Sequence, residues 1–170
     1  MLYWCQRIRE ESEVIAPGSG EDPIQFIDVN DLGRFSSCTH ANGISRIFNV
    51  TGPRSTAVTW RQFLNVAKNH FQSSADLIWA PEEFLRENNI KSFSDMPLWV
   101  PLSEDRGFMQ ISNQKLMNTG FQLSPISDTL NDVMKWYSEN LPSDIDFGSE
   151  ETGVGLSRLR ELQLIKDLPG

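Results

Sequence analysis

Early in the chain, an alternation of polar and apolar residues gives way to a helical pattern within a single stretch. Ile24–Val29 is rich in β-branched residues, which favour a strand. Asn30 or Asp31 can cap a helix that follows immediately. A second strand is predicted at Arg46–Val50, so that strand, helix and strand together have the size of one βαβ unit.

Four segments have apolar residues at the spacing of an amphipathic helix. They are Leu2–Glu11, Trp60–Phe71, Asp128–Asn140 and Ser157–Lys166. Just before the second segment, Thr59 and Gln62 have the spacing of a capping box, in which each side chain bonds the backbone of the other residue. The aromatic stripe of that segment is more typical of a core-facing helix than of a ligand platform.

The remaining predicted elements are shorter. They are strands at Glu13–Ala16, Asp76–Ala80 and Gly107–Ile111, and helices at Glu82–Asn88 and Ser112–Asn118. With about five strands and five or six helices, the chain is predicted to have an α+β fold in which a small mixed sheet packs against about five helices.

Residues 143–155 are mostly polar, acidic or glycine, which is typical of a mobile linker. Residues 1–142 are therefore predicted to form the folded domain, and residues 143–170 an acidic linker with a C-terminal helix. A helix this short is rarely stable alone, so we expect it to dock on its own domain or on a neighbouring chain.

Two loops have compositions that bear on function. Asn89–Arg106 is more apolar than a solvent-exposed loop, and Trp99 lies at its centre, so the loop either covers the core or lines a pocket. Pro17–Pro23 contains two glycines, but it is followed by a predicted strand, whereas a phosphate-binding loop opens a helix. We therefore predict that it is a plain turn.

Composition and charge exclude several classes of function. The formal net charge of −8 would repel a phosphate backbone, so nucleic acid is not an expected partner. No apolar run reaches the ~18 residues that a membrane span requires. The charged start does not resemble a secretion signal, and two cysteines are too few for a disulfide framework, so a cytoplasmic protein is expected. Cys38 and His40 are too few ligands for a metal site, and no metal is predicted.

An ordered series of short motifs resembles a known family. The stretches "IQFIDVNDLGRF", "GISRIFNVTGP" and "VTWRQFL" resemble the C-terminal half of extended short-chain dehydrogenase/reductases, and more narrowly the NAD-dependent epimerase/dehydratase family. Supporting stretches, in the expected order, are "YWCQRI", "EVIAPG", "PEEFL", "DMPLW", "GFMQISNQKLMNTGF" and "GLSRLREL". Together they cover nearly the whole chain. The family often has arginine at the position of Asn30.

The resemblance implies that the chemistry of such an enzyme lies in a half that this chain lacks. That half would supply a glycine-rich turn for the dinucleotide and a catalytic tyrosine and lysine four positions apart. Here Tyr3 is followed at the fourth position by Arg7, and Tyr137 by Leu141. No catalytic or cofactor-binding residue is therefore predicted. NAD or NADP is implied only for the full-length family, and the chain alone is expected to be inactive.

Two hypotheses of function follow. In the first, the chain is the substrate-binding portion of an epimerase/dehydratase- or reductase-like protein, whose substrate is a nucleotide-sugar or another small molecule. If the chain keeps a substrate site, it is expected at the loop around Trp99 and Arg106 and at the start of the Gln25 strand. Arg106 either grips an anionic group in two-point fashion or balances its acidic neighbours Glu104 and Asp105.

In the second hypothesis, the chain is a stand-alone interaction module from a truncated gene. Trp4, Phe26 and Phe48 lie on elements that would face the missing half, so their rings would be exposed. Exposed apolar patches and open strand edges drive association. A dimer or larger homo-oligomer is therefore expected. The DNA upstream of Met1 would distinguish a fragment from a natural short gene.

Overall fold

The computed structural model describes residues 1–52, 58–142, 145–149 and 152–169. Within these ranges it has seven α-helices and four short strands, which confirms the predicted α+β fold. In chain order they are α1 Leu2–Glu10, β1 Glu13–Pro17, β2 Pro23–Ile24, α2 Val29–Ala41, β3 Val58–Thr59, α3 Trp60–Phe71, β4 Asp76–Ala80, α4 Glu82–Glu87, α5 Gln114–Met117, α6 Ile126–Asn140 and α7 Arg158–Asp167.

The strands form two separate pairs. β1 and β4 run parallel, with Glu13 opposite Asp76 and Pro17 opposite Ala80. β2 and β3 are antiparallel, with Pro23 opposite Thr59. The apolar residues of β1 are fully buried, as expected for a strand of a parallel sheet that is covered on both faces.

Aromatic rings form a continuous path through the core. Their order is Phe147, Tyr3, Trp4, Trp60, Phe63 and Phe26, and the centroids of successive rings are 4.9–5.9 Å apart in edge-to-face geometry. This geometry favours aromatic pairs beyond their buried area. The path joins α1 to α3, whose predicted capping box is present at Thr59 and Gln62.

A cluster of charged side chains holds α7 against the rest of the fold. Glu161 is fully buried, and its carboxylate lies 3.0 Å from the Nε of Arg7 and 3.0 Å from the Nη1 of Arg158. Arg158 also pairs with Glu11 at 2.9 Å. Burial raises the pKa of Glu161, although Arg7 and Arg158 act in the opposite direction.

The predicted βαβ unit is wrong. β2 ends at Ile24, and Asp28 rather than Asn30 or Asp31 caps α2, because its carboxylate accepts a hydrogen bond from the backbone N–H of Asn30 at 2.7 Å. This bond turns the chain into the helix earlier than the hydrophobic pattern indicates. The predicted strand Arg46–Val50, which lies within the described residues, is irregular.

Side-chain bonds replace a strand ladder in two segments. In the irregular segment, Lys115 Nζ donates to the backbone carbonyl of Ile47 at 2.6 Å. The predicted strand Gly107–Ile111 is instead a turn, because the carboxylate of Asp105 accepts from the backbone N–H groups of Gly107 and Phe108. Sequence alternation cannot reveal such local competition for backbone groups.

The described residues of the predicted linker pack on the domain. Phe147 and Leu156 are buried, and the N–H of Gly155 donates to the carbonyl of Ser94 at 2.7 Å. Gly155 has φ +81°, and a Cβ atom there would lie 2.5 Å from the ring of Tyr3, so the close approach requires glycine. The described residues of this segment thus contact the domain, and the mobility of the linker stays a prediction.

The inward face of α7 also differs from the prediction. The amphipathic spacing of the predicted helix Ser157–Lys166 comes from Leu159, Leu162 and Ile165, but Leu159 is 83% exposed. The buried residues are Glu161 and Leu164. The ion pairs of Glu161 therefore determine which face of α7 is buried, and this face is not the one that carries Leu159.

The rings expected to be exposed are covered by the chain itself. Trp4 is 0% exposed, and its indole N–H donates to the carbonyl of Pro97. Phe26 packs against Phe63, and Phe48 packs against Phe35. The expectation of exposure is thus wrong for Trp4, while Phe26 and Phe48 are half-buried.

Candidate functional site

Gln25 connects three segments that are far apart in the sequence. Its Nε2 donates to the backbone carbonyls of Gly52 at 2.8 Å and Ile111 at 2.9 Å. Its Oε1 accepts from the N–H of Ile111 at 3.0 Å. The amide of Gln25 therefore bonds both backbone groups of Ile111, as a residue of a neighbouring strand would.

A depression of about 330 Å³, here called the outer depression, lies beside this junction. It is lined by Gln25, Thr51, Phe93, Leu98, Asp105, Gly107, Phe108, Met109 and Ile111. The rings of Phe93 and Phe108 meet edge to face with their centroids 5.9 Å apart, and each is about half exposed. The site thus combines an amide, a carboxylate and two solvent-facing rings.

A second, more apolar depression of about 560 Å³, here called the inner depression, adjoins the first at Leu98. Its lining includes Leu2, Phe26, Val29, Val133 and Trp136. Val29 is 74% exposed and Trp136 is 54% exposed, which is unusual for residues of their size.

Asn30 lies beside the inner depression and bridges two helices. Its Nδ2 donates to the carboxylate of Asp132 at 2.7 Å, so α2 is joined to α6. This is the position at which the family that the sequence resembles often has arginine. Asn30 thus bonds the carboxylate of Asp132 without the positive charge that an arginine would bring.

Residues with strained backbone line both depressions. Phe93 and Leu98 have φ of +65° and +70°, a left-handed conformation that bulky side chains rarely adopt. The N–H of Phe93 donates to the carbonyl of Trp99 at 2.9 Å, which closes the loop between them. Such conformations cost ~1–3 kcal/mol each, and they cluster at ligand sites.

Trp99 supports this loop from beneath. It is 2% exposed, and its indole N–H donates to the carboxylate of Asp22 at 3.0 Å. The apolar loop therefore packs on the core through Trp99, and it lines a depression through Phe93 and Leu98. No lining atom of either depression comes from Trp99.

Arg106 is exposed, next to the turn that forms one wall of the outer depression. Its acidic neighbours are engaged elsewhere. Glu104 accepts from the hydroxyl of Ser92, and Asp105 accepts from the backbone of its own turn. Arg106 stands between Asp105 and Gly107, which line the outer depression, but is not itself a lining residue.

A second group of polar contacts, around Asp31, holds α2 against the segment before α6. Asp31 is 1% exposed and accepts from the N–H and the hydroxyl of Ser124, both at 2.7 Å, and from Arg34. Burial alone would raise the pKa of Asp31, but the bonds from Arg34 and Ser124 hold it below its ordinary value. An ionised Asp31 therefore anchors α2 to the segment before α6.

Neither Phe93 nor Phe108 is among the predicted site residues. Phe93 lies in the apolar loop Asn89–Arg106 and Phe108 in the predicted strand Gly107–Ile111, so neither segment marks its ring as exposed. Within the described ranges, no three His, Cys, Asp or Glu side chains are grouped so that they could hold a metal ion. No described helix is long and apolar enough to cross a membrane.

Comparison with solved structures shows a shared fold. A crystal structure of a GDP-L-fucose synthetase from Naegleria fowleri matches 82% of this chain with a TM-score of 0.54 and 16% sequence identity. The same synthetase bound to NADP matches with a TM-score of 0.51 and 16% identity. The chain spans 38% and 39% of those two chains. No protein family and no curated protein matches it.

Proposed function

We propose that this chain is the substrate-binding portion of an NAD- or NADP-dependent epimerase/dehydratase- or reductase-like protein, corresponding to the C-terminal half of such an enzyme. The observation that carries the proposal is the outer depression, which three distant segments build around Gln25. The fold shared with part of a GDP-L-fucose synthetase supports it.

The proposal divides the chemistry between two halves. A dinucleotide carries the hydride, and a protein supplies orientation and excludes water. This sequence has neither a glycine-rich dinucleotide turn nor a tyrosine and lysine four positions apart. We therefore expect it to bind substrate but not to turn it over alone.

The ligand class that fits the outer depression is a nucleotide-sugar. Aromatic rings such as Phe93 and Phe108 stack on bases and on the apolar faces of sugars. The Oε1 of Gln25 and the carboxylate of Asp105 can each accept a further hydrogen bond from a hydroxyl. Arg106, between two lining residues, is the arginine that we expect to pair with a diphosphate.

The test is a titration of the ¹⁵N-labelled chain with GDP-L-fucose, followed by its amide spectrum. We expect saturable shifts at Gln25, Phe93 and Phe108. Arg106→Ala should weaken binding about tenfold, the equivalent of one charge-assisted contact. Arg86→Ala is the matched control, because Arg86 is an exposed arginine of α4 that pairs only with Glu83 among the described acidic residues.

Shifts that are scattered over the surface or that do not saturate at millimolar ligand would contradict the proposal. GDP and free L-fucose, titrated separately, identify which part of the ligand the depression recognises. Binding of GDP alone with the same affinity would indicate that the sugar makes no contact.

A second candidate function is a stand-alone self-associating module. The exposure of Val29 and Trp136 in the inner depression favours it, because apolar patches of this kind promote association. Light scattering at micromolar concentration tests it. A Trp136→Lys variant should then shift a dimer towards the 19.3 kDa monomer, and a wild-type monomer would rule the module out.

A further inference from the structure

A third depression, here called the basic depression, lies where the irregular segment 43–48 meets α5. Its volume is about 590 Å³, which is within the range of small-molecule sites. Its lining includes Ser45, Arg46, Phe48, Lys115 and Asn118. It shares no lining residue with the outer or the inner depression, so it is a separate place on the molecule.

The charge of this lining is opposite to that of the protein, whose formal net charge is −8. A carboxylate lines each of the other two depressions, Asp105 in the outer one and Asp132 in the inner one. The basic depression instead has Arg46 and Lys115 in its lining and, among the described residues, no acidic side chain. Two positive charges without a carboxylate beside them attract an anion.

The ammonium group of Lys115 is held in position without being neutralised. Its Nζ donates to the backbone carbonyl of Ile47 at 2.6 Å and lies 4.9 Å from the centre of the Phe48 ring. The carbonyl takes one of the three N–H donors of the group. No described carboxylate pairs with Lys115, so its charge and its other donors are free to bond a ligand.

The ring that supports Lys115 is itself fixed by its neighbours. Phe48 packs edge to face on Phe35, with the ring centroids 5.0 Å apart, and Phe35 packs in the same way on Phe121 at 5.2 Å. Phe35 is buried. The position of the ammonium group is therefore set before a ligand arrives, which reduces the entropy that binding would cost.

The other polar groups of the lining are donors as well. Arg46 is exposed and has no bonding partner in the described part of the chain. Its guanidinium is a planar fork that can bond two oxygens of one phosphate group. The Oδ1 of Asn118 accepts from Gln114, which leaves its Nδ2 for another acceptor, and Ser45 offers a hydroxyl. An anion with several acceptor oxygens matches this set of donors.

We propose that the basic depression binds a phosphate group, carried by inorganic phosphate or by a small phosphate monoester, and that Arg46 and Lys115 hold its oxygens. The net charge of −8 disfavours a polyanion such as nucleic acid, so the occupant is a small molecule. Ile44, a lining residue that is 40% exposed, borders the space for the organic part of a monoester. The site does not depend on the proposed function, because it lies outside the outer depression.

The first test is a titration of the ¹⁵N-labelled chain with sodium phosphate, in which sodium chloride keeps the ionic strength constant. We expect saturable amide shifts at Ser45, Arg46 and Lys115. Arg46→Ala should weaken phosphate binding at least about tenfold, the equivalent of one charge-assisted contact. Lys135→Ala is the matched control, because it removes one positive charge at an exposed position of α6, and it should bind phosphate like the wild type.

The second cation is tested by a pair of variants. Lys115→Ala should weaken phosphate binding about as much as Arg46→Ala does. Because this variant also loses the bond to Ile47, Lys115→Arg is compared with it. Lys115→Arg keeps the charge and a donor, and it should retain more of the affinity. Equal affinities of the two variants would show that the charge of Lys115 makes no contact with phosphate, and would overturn the proposal.

Two results of the phosphate titration would also overturn the site. Equal weakening by Arg46→Ala and Lys135→Ala would show a general response to the charge of the protein. The absence of saturable shifts at millimolar concentrations of both inorganic phosphate and phenyl phosphate would show that the depression binds neither form.

Phenyl phosphate, titrated in the same way, distinguishes the two sources of the phosphate group. Tighter binding than that of inorganic phosphate, with an additional shift at Ile44, would support the site and identify a monoester. Equal affinity without that shift would support the site and identify free phosphate.

These outcomes are independent of the nucleotide-sugar titration. Saturable phosphate shifts at Arg46, without GDP-L-fucose shifts at Phe93 and Phe108, would keep the basic depression and remove the proposed function. GDP-L-fucose shifts at Phe93 and Phe108, without phosphate shifts at Arg46, would do the reverse.

Discussion

The side-chain amide of Gln25 bonds both backbone groups of Ile111, at 2.9 and 3.0 Å, although the two residues are 86 positions apart. A glutamine thereby substitutes for a strand residue at the junction that forms the outer depression. The wall of this depression depends on one side chain instead of on a ladder of backbone bonds. It is therefore sensitive to single substitutions.

Gln25→Ala should destabilise the fold by about 1–2 kcal/mol. It removes three hydrogen bonds, which contribute about 1 kcal/mol each at most when the backbone groups can turn to water. Urea denaturation measures the change. The proposed binding of GDP-L-fucose should lose more free energy than folding does. The bonds removed hold Ile111 in the wall of the outer depression and not in the core. Equal stability of variant and wild type would show that the junction is held by other contacts.

Glu161→Gln should cost about 3 kcal/mol of unfolding free energy. The amide keeps the shape and can still accept from Ile15, but it removes the charge that Arg7 and Arg158 share. The buried Arg7 then keeps only the 3.6 Å contact to Glu11, and Arg158 its 2.9 Å contact to the same residue, among the described acidic residues. Leu159→Ala, at a position that is 83% exposed, should change stability by less than about 0.5 kcal/mol. Denaturant midpoints of the two variants, which lie on the same helix, give a direct comparison.

Asp31 should make stability fall in acid. Its pKa in the folded chain is below the ordinary value of 3.8, so its contribution is fully present above that pH and is lost as the pH falls through the lower folded value. Wild type should therefore exceed Asp31→Asn in stability at pH 6, and the difference should shrink below pH ~3.8. A difference that is constant from pH 6 to pH 2.5 would show that the carboxylate is not the titrating group.

The two cysteines should differ strongly in reactivity. Burial raises the pKa of the Cys5 thiol to about 11, whereas Cys38 is exposed at the end of α2. A thiolate is the reactive form, so a disulfide reagent should titrate one thiol in the native chain and two in denaturant. Cys38→Ser should abolish the native reaction. Rapid native reaction of that variant would mean that α1 opens readily.

Some elements were predictable because the local signal and the tertiary environment agree. The capping box at Thr59 and Gln62 fixes the start of α3, and β4 has the predicted limits Asp76–Ala80. In both cases the apolar pattern coincides with the face that the core requires. Local propensity is then a sufficient guide.

Other features depended on contacts that no short stretch contains. Asp28 and Asp105 each bond nearby backbone groups and convert a strand pattern into a cap and a turn. Glu161 turns α7 by pairing with Arg7, far away in the sequence. The same holds for the candidate site. The sequence pointed to the Gln25 stretch, but Phe93 and Phe108 lie together only because the strained loop brings them there.

The bond between Glu161 and Ile15 spans 146 positions, and this separation has a consequence during synthesis. A ribosome adds about 5–20 residues per second, so β1 leaves the exit tunnel roughly 7–30 s before the residues that cover its edge. Throughout that interval the apolar edge is accessible to any other nascent chain. A trigger-factor-like holdase that binds the first 20 residues should therefore raise the yield of folded protein more than one that binds the last 20.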